Sequence, residues 1–176
     1  SSGVSHTLIV KDDGSLWAAG NNDYGQLGDD TNETRMTRIK VVDANVTAVF
    51  AGDRHSLFLK NDGTLWGMGQ NNQGQLGDGT RLERHLPVQS TITNVASFSA
   101  GCDYRSYVVK TDGSLWRTNS NETSGWEQMV DANVTAIESS GGHAVFTKTD
   151  GSLWSMGKNA SGQLGDRDYT WSSLLR

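Results

Sequence analysis

Apolar side chains come in short bursts along this chain, and polar, glycine-rich stretches separate them. Residues 46–51 are apolar and β-branched and run into Gly52; residues 55–60 (His-Ser-Leu-Phe-Leu-Lys) form a second burst and residues 64–68 a third. A fourth starts at Leu86 and runs to Gln89, where Pro87 is tolerable on a sheet edge. Each reads as a strand. Between the second and third, Asn61-Asp62-Gly63 supplies a tight hairpin, with the glycine free to take a positive φ. No segment keeps a helical period over about ten residues. In the middle strands apolar residues are consecutive: Leu57, Phe58 and Leu59, then Leu65 and Trp66. Neighbours on a strand point to opposite faces, so both faces of this sheet need cover.

The unit repeats. Asp-Gly-Ser/Thr-Leu-Trp occurs at Asp13–Trp17, Asp62–Trp66, Asp112–Trp116 and Asp150–Trp154, at offsets of 49, 50 and 38 residues. Upstream of three copies stands an Asn-Val pair, at Asn45, Asn94 and Asn133; downstream of three stands Gly-Gln-Leu-Gly, at Gly25, Gly74 and Gly162. The markers in phase predict strands near 6–10, 15–19, 46–51, 55–60, 64–68, 95–100, 105–110, 114–118, 134–138, 143–148 and 152–156. Four-stranded sheets covered on both faces and repeated every ~40–50 residues are the blades of a β-propeller. The fold class is therefore all-β: a partial propeller of four-stranded antiparallel blades at about 1–44, 45–93, 94–132 and 133–176. Gly14, Gly63, Gly113 and Gly151 turn the hairpins, and Trp17, Trp66, Trp116 and Trp154 pack between adjacent blades.

Composition agrees with this and removes some partners. Only 35% of the 176 residues are apolar, while there are 21 glycines and 6 tryptophans, which suits a turn-rich frame around a few large side chains. A net charge of −5 leaves no basic stripe, so nucleic acid is not an expected partner. No stretch approaches the ~20 apolar residues of a membrane-spanning helix. The single cysteine, Cys102, has no internal disulfide partner and reads as a small packed residue. The opening Ser1-Ser2-Gly3, without Met, reads as a processed product or a fragment. The abundance of Asn, Thr, Ser and Gly with one cysteine leans towards an extracytoplasmic or cell-surface location.

The second unit carries a Gly-x-x-His turn at Gly52/His55, an Asp-Gly hairpin before Trp at Asp62-Gly63, and an Asn-x-x-Gly-Gln-Leu-Gly loop at Asn71–Gly77. In these residues the chain resembles the regulator-of-chromosome-condensation repeat family over nearly its whole length. It looks closest to bacterial members, in which the loop often continues Gly-Asp-Gly-Thr, as at Gly77–Thr80. The resemblance implies a propeller platform whose function sits in variable loops. Family members include a nucleotide-exchange factor for a small nuclear GTPase, ubiquitin-ligase modules, β-lactamase inhibitors and bacterial surface proteins. No wedge insertion or basic tail is present to carry the exchange role over. The third repeat departs from the pattern: Trp116 is 17 residues from the next repeat's Asn, against 28 in the first two, and its Gly-Gln-Leu-Gly loop is missing.

Little in the chain reads as catalytic chemistry, and no cofactor or metal is expected. His6, His55 and His143 hold one repeat position, taken by Arg105 in the third repeat, which breaks any converging metal set; each histidine is expected to bond to a turn. The acidic runs at Asp29-Asp30, Asp78 and Asp166–Asp168 lack the alternate carboxylates and final Glu of a calcium loop and read as turn aspartates. Asn-x-Thr/Ser triplets stand at Asn32, Asn45, Asn121, Asn133 and Asn159; Asn45 and Asn133 open strands and read as turn residues.

The expected function is that of a non-catalytic protein-binding scaffold from a bacterium. The alternatives are a proteinaceous enzyme inhibitor of the propeller type and an exchange-factor-like module. The shortened third repeat should notch the rim of loops and expose Arg117, Asn119, Trp126 and Tyr24 for contact, unless Trp126 packs as a fourth-strand residue. Counting strands gives three, four, four and three, fourteen in all, about half of a seven-bladed ring. An open arc would leave Leu8, Ile9, Leu16 and Trp17 wet at one end and Phe146, Leu153 and Trp154 at the other. Ring completion by further blades of a longer chain, or by a second copy, would cover them.

Overall fold

Hairpin chemistry sets the frame. In every repeat the Asp carboxylate accepts from the backbone N–H of the Ser or Thr two residues on: Asp13 from Ser15, Asp62 from Thr64, Asp112 from Ser114 and Asp150 from Ser152. That hydroxyl in turn accepts the indole N–H of the Trp two residues further, in all four repeats, at 2.8–2.9 Å. A lysine ammonium covers each indole face: Lys11 on Trp17, Lys60 on Trp66, Lys110 on Trp116 and Lys148 on Trp154. The bond from the neighbouring hydroxyl comes first among the causes that hold Asp13, Asp62 and Asp112 below the usual carboxylate range. Because the Ser or Thr belongs to the turn, each following strand starts one residue later than the apolar pattern suggests.

The computed structural model describes residues 1–101, 104–119, 125–166, 170 and 172–175, the last four by backbone alone. Cys102, Asn121 and Asp168, singled out above, lie outside the described residues. Strands follow one another as antiparallel neighbours in four sheets. Blade 1 holds β1 (His6–Val10), β2 (Leu16–Gly20) and β3 (Arg35–Val42); blade 2 holds β4 (Val46–Ala51), β5 (His55–Lys60), β6 (Leu65–Gly69) and β7 (Arg84–Gln89). Blade 3 holds β8 (Val95–Ala100), β9 (Ser106–Lys110), β10 (Leu115–Thr118) and β11 (Trp126–Val130); blade 4 holds β12 (Val134–Ser140), β13 (His143–Lys148), β14 (Leu153–Gly157) and β15 (Ser172–Leu175). Ser1 and Ser2 run beside β1, with a bridge from Ser2 to Thr7. The fourth strand of blade 4 corrects the count of three made from sequence. Its start, Ser172, lies ten residues after Gly162, the spacing that separates Gly25 from Arg35 and Gly74 from Arg84.

Blades pack face to face through three apolar seams. Leu8, Leu16, Ala18 and Leu27 of blade 1 meet Val46, Phe58 and Met68 of blade 2. Leu57, Leu65 and Leu76 of blade 2 meet Val95, Ala100 and Val108 of blade 3. Tyr107, Val109 and Leu115 of blade 3 meet Val134, Ile137, Phe146 and Met156 of blade 4. The alternation of the Leu-Trp pair gives this stack a direction. The leucine faces the following blade, and Trp66, Trp116 and Trp154 face the preceding one, partly buried against its seam. Phe58 stacks on Trp66, and Phe146 on Trp154, on that same face.

This direction corrects the expected wet ends. Leu8, Leu16 and Phe146 are turned into seams and are 0–1% exposed, whereas Leu153, on the outer face of blade 4, is 61% exposed. At the other end the open side of blade 1 carries Ile9, Trp17 and the 92% exposed Met36.

Candidate functional site

All loops after the third strand lie at the end of the blade that also carries the Gly-x-x-His turn, since His6 pairs with Gly20, His55 with Gly69 and His143 with Gly157. On this face a polar link crosses each of the first two seams. Ser56 of blade 2 donates its hydroxyl to the Gln26 carbonyl of blade 1 at 2.7 Å and lies 2.8 Å from Nε2 of His6. Ser106 of blade 3 repeats this with the Gln75 carbonyl at 2.7 Å and His55 Nε2 at 3.2 Å. Each serine hydrogen is committed to a carbonyl, so the imidazole must be the donor at Nε2. Burial pushes both histidines down from 6.5 to about 4; the nearby Asp53 carboxylate raises His6 slightly, and the neighbouring His6 lowers His55 further. The histidines thus bond to the next blade rather than only to their own turn. Ser56, Ser106 and the two glutamine carbonyls were missed from sequence, although a serine directly follows His55 and Arg105.

The Gly-Gln-Leu-Gly loops are self-latched. Asn22 accepts from Leu27 N–H and donates to Asp29, and Asp29 receives Arg35 at 2.6 Å. Asn71, Leu76, Asp78 and Arg84 repeat the pattern, with the ion pair at 2.7 Å. Burial would raise both aspartates, but hydrogen bonds from the Thr, Arg and Asn outweigh it and hold them below the usual range. Their oxygens are filled by protein donors. Among the described residues no cluster of three or more His, Cys, Asp or Glu is placed to hold a metal ion.

Blade 3 lacks this loop, and a tryptophan stands in its seam. Trp126, the first residue of β11, donates its indole N–H to Ser90 Oγ at 3.0 Å and lies 3.3 Å from the Gly77 carbonyl. A Cβ on Gly77 would overlap the Trp126 indole, just as one on Gly28 would overlap the Met68 sulfur one seam earlier. Trp126 therefore covers the blade 2 loop as Met68 covers that of blade 1. Gly77 also sits at φ +62. Gly77→Ala should lower stability by about 2–4 kcal/mol through strain and displacement of the indole, read as a fall in the urea midpoint with loss of Trp fluorescence protection.

The other predicted contact residues are dispersed. Arg117 is paired with Glu127 on its own blade at 3.0 Å. The Asn119 N–H bonds the Gly125 carbonyl across the short turn. Tyr24 sits two blades away, where its hydroxyl accepts from Arg54 at 3.1 Å and its ring lies beneath that guanidinium. The structure does gather one group around Trp126: a 280 Å³ cleft at the seam of blades 2 and 3, lined by Thr91, Ile92, Thr93, Lys110, Trp116 and Trp126. Two indoles, a lysine and two hydroxyl side chains make a cleft able to hold an apolar side chain with an acidic neighbour. Nothing in it resembles a nucleophile–base pair.

Comparison with known proteins settles the family. The regulator of chromosome condensation (RCC1) repeat profile matches residues 13–59 and 62–105, and a second profile of the same repeat matches 46–75 and 134–163. The chain belongs to the RCC1 repeat family. Among solved structures this RCC1-repeat chain is similar to human WBSCR16, with a TM-score of 0.88 at 21% identity over 99% of this chain and 51% of that one. It is also similar to yeast RCC1 (Prp20) in its complex with Kap60, with a TM-score of 0.72 at 19% identity over 88% and 40% of the two chains. The RCC1-repeat chain thus spans about half the length of the human protein it matches. These likenesses show the fold. No curated protein sequence matches the chain.

Proposed function

We propose that this chain is a non-catalytic protein-binding scaffold, and that its contact surface includes the cleft and short turn of blade 3. One observation carries the reading: the third repeat alone lacks the Gly-Gln-Leu-Gly sequence between its last two strands, and Trp126 and Trp116 line a cleft there with Lys110. Function on a repeat platform sits where the repeat is broken. The yeast relative is itself seen bound to a protein, Kap60. The Gly-Asp-Gly-Thr continuation at Gly77–Thr80 supports a bacterial source.

Partner capture by the parent chain and by two variants tests this. Lys110→Ala removes the cation from the cleft and Arg117→Ala the guanidinium beside Glu127; because Lys110 lies over the Trp116 indole, the thermal midpoint is measured beside binding. A partner bound by the parent and weakened about tenfold or more by Lys110→Ala, at unchanged thermal midpoint, supports the site. Equal binding by parent and both variants places the contact elsewhere on the rim. Trp126→Ala should lose about 2–4 kcal/mol of stability, which makes it a control for packing rather than for binding.

A further inference from the structure

Three departures from the repeat meet at the seam of blades 2 and 3. The first is in the connector. Val41-Val42-Asp43-Ala44 precedes one Asn-Val pair and Met129-Val130-Asp131-Ala132 another, but Ser90-Thr91-Ile92-Thr93 precedes the pair at Asn94. The side chain of Asp43 is 95% exposed, whereas Ile92, at the same position, is 6% exposed in the wall of the cleft. The connector that carries a carboxylate elsewhere therefore brings none here. The second departure is in the lysine. The ammonium groups of Lys11, Lys60 and Lys148 lie 3.8–4.1 Å from the centroid of their tryptophan ring, while that of Lys110 stands off Trp116 at 5.3 Å. Among the described residues no carboxylate forms an ion pair with Lys110. Nearby Asp112 already accepts from both the N–H and the hydroxyl of Ser114. The third is that the repeat without a Gly-Gln-Leu-Gly sequence supplies a second indole, that of Trp126.

The polar atoms of the wall are mostly spent. Trp116 Nε1 donates to Ser114 Oγ at 2.8 Å, Trp126 Nε1 to Ser90 Oγ at 3.0 Å, and Thr91 Oγ1 to the Gly77 carbonyl at 3.0 Å. What meets an incoming group is two indole surfaces and one ammonium. A volume of 280 Å³ lies just below the ~300–1,000 Å³ of small-molecule sites and suits a side chain better than a cofactor. A sugar would need several hydrogen-bond partners that this wall does not offer. An apolar side chain needs none, and a carboxylate beside it would answer the unpaired cation.

Given the protein-binding role argued above, on which this rests, we propose that the ligand of the cleft is an acidic linear segment of the partner. One apolar side chain lies against the Trp116 and Trp126 indoles, and a neighbouring Asp or Glu carboxylate pairs with Lys110.

Selection of a random linear peptide display library on the parent chain tests it. The enriched peptides should share an apolar residue beside an Asp or Glu, and the most enriched one, made synthetically, should change tryptophan fluorescence on binding. Lys110→Met keeps an unbranched side chain over Trp116 but removes the charge. Thr93→Glu, at an exposed position on the rim, supplies a carboxylate of the chain's own. Each should weaken peptide binding about fivefold or more at unchanged thermal midpoint. Selection that enriches no such peptide overturns the proposal, and so does a peptide that either variant binds as tightly as the parent. Polygalacturonate bound in place of peptide overturns it as well, since the ligand is then an acidic polysaccharide. If a captured protein partner is still weakened by Lys110→Ala while no acidic peptide is enriched, the scaffold role stands and the peptide chemistry falls. Equal capture by parent and Lys110→Ala removes both.

Discussion

Leu65→Ala lowers stability by about 3–5 kcal/mol, while the same change at Leu153 leaves it within about 0.5 kcal/mol. Both residues are the leucine of Asp-Gly-Ser/Thr-Leu-Trp, and sequence gives no reason to separate them. Their surroundings do. Leu65 is fully buried against Val95, Ala100 and Val108 of the next blade, so removing its isobutyl group leaves a cavity in a packed seam. Leu153 lies on the same face of its own blade, but no described residue packs over it, and most of its side chain meets water. Leu16→Ala and Leu115→Ala should fall with Leu65→Ala, because each is buried in its own seam. Urea unfolding at a concentration that keeps chains apart measures all four. Equal losses at the four positions would mean that the leucine acts within its own sheet, through β-propensity or hairpin packing, and that the seams contribute little.

The repeat made the blades legible because three markers recur in phase, and period-2 alternation with turn residues fixes strands locally. The eleven strands predicted in phase with the markers agree with the observed ones within two residues at each end, whereas β3 and β11 had been counted without bounds. What escaped sequence reading was relational. That Trp looks backwards and Leu forwards along the stack depends on which face of a twisted sheet meets which neighbour, and no single blade encodes it. The histidines were read as structural, yet their partner is a serine about fifty residues away on another blade, visible only once blades are stacked. β15 was not counted, although its distance from Gly162 is the same as that of the matching strand in two other repeats. Of the four residues named for contact, Trp126 lies in a cleft, but of its lining residues Trp116 had been read only as a repeat element and Lys110 had not been singled out.

The seam histidines make the fold acid-sensitive in a definite window. An unfolded histidine titrates near 6.5, while His6 and His55 titrate near 4 in the folded chain. Both are almost fully enclosed, and Nδ1 of His6 has no acceptor for a second proton. Above pH 6.5 both states are neutral at these rings and the seam links contribute fully. Between 6.5 and 4 the unfolded chain takes up protons that the folded chain refuses, so stability falls as pH falls. The loss should reach about 2 kcal/mol per histidine at pH 5 and level off at about 3 kcal/mol per histidine below pH 4. Together these are comparable with the whole stability of a domain this size. The hairpin aspartates act separately: their folded values are depressed below 3.8, so their contribution disappears only at still lower pH. Urea midpoints taken from pH 7.5 to 4.5 should therefore decline steeply from about pH 6.5. His55→Gln keeps a donor that can reach Ser106 but cannot be protonated. Its stability should drop by about 1–2 kcal/mol at pH 7.5, and its slope below pH 6.5 should be about half that of the parent, since His6 alone then titrates. A slope unchanged in both His55→Gln and the matching His6→Gln would mean that the acid sensitivity arises elsewhere and that these rings accept protons within the folded seams.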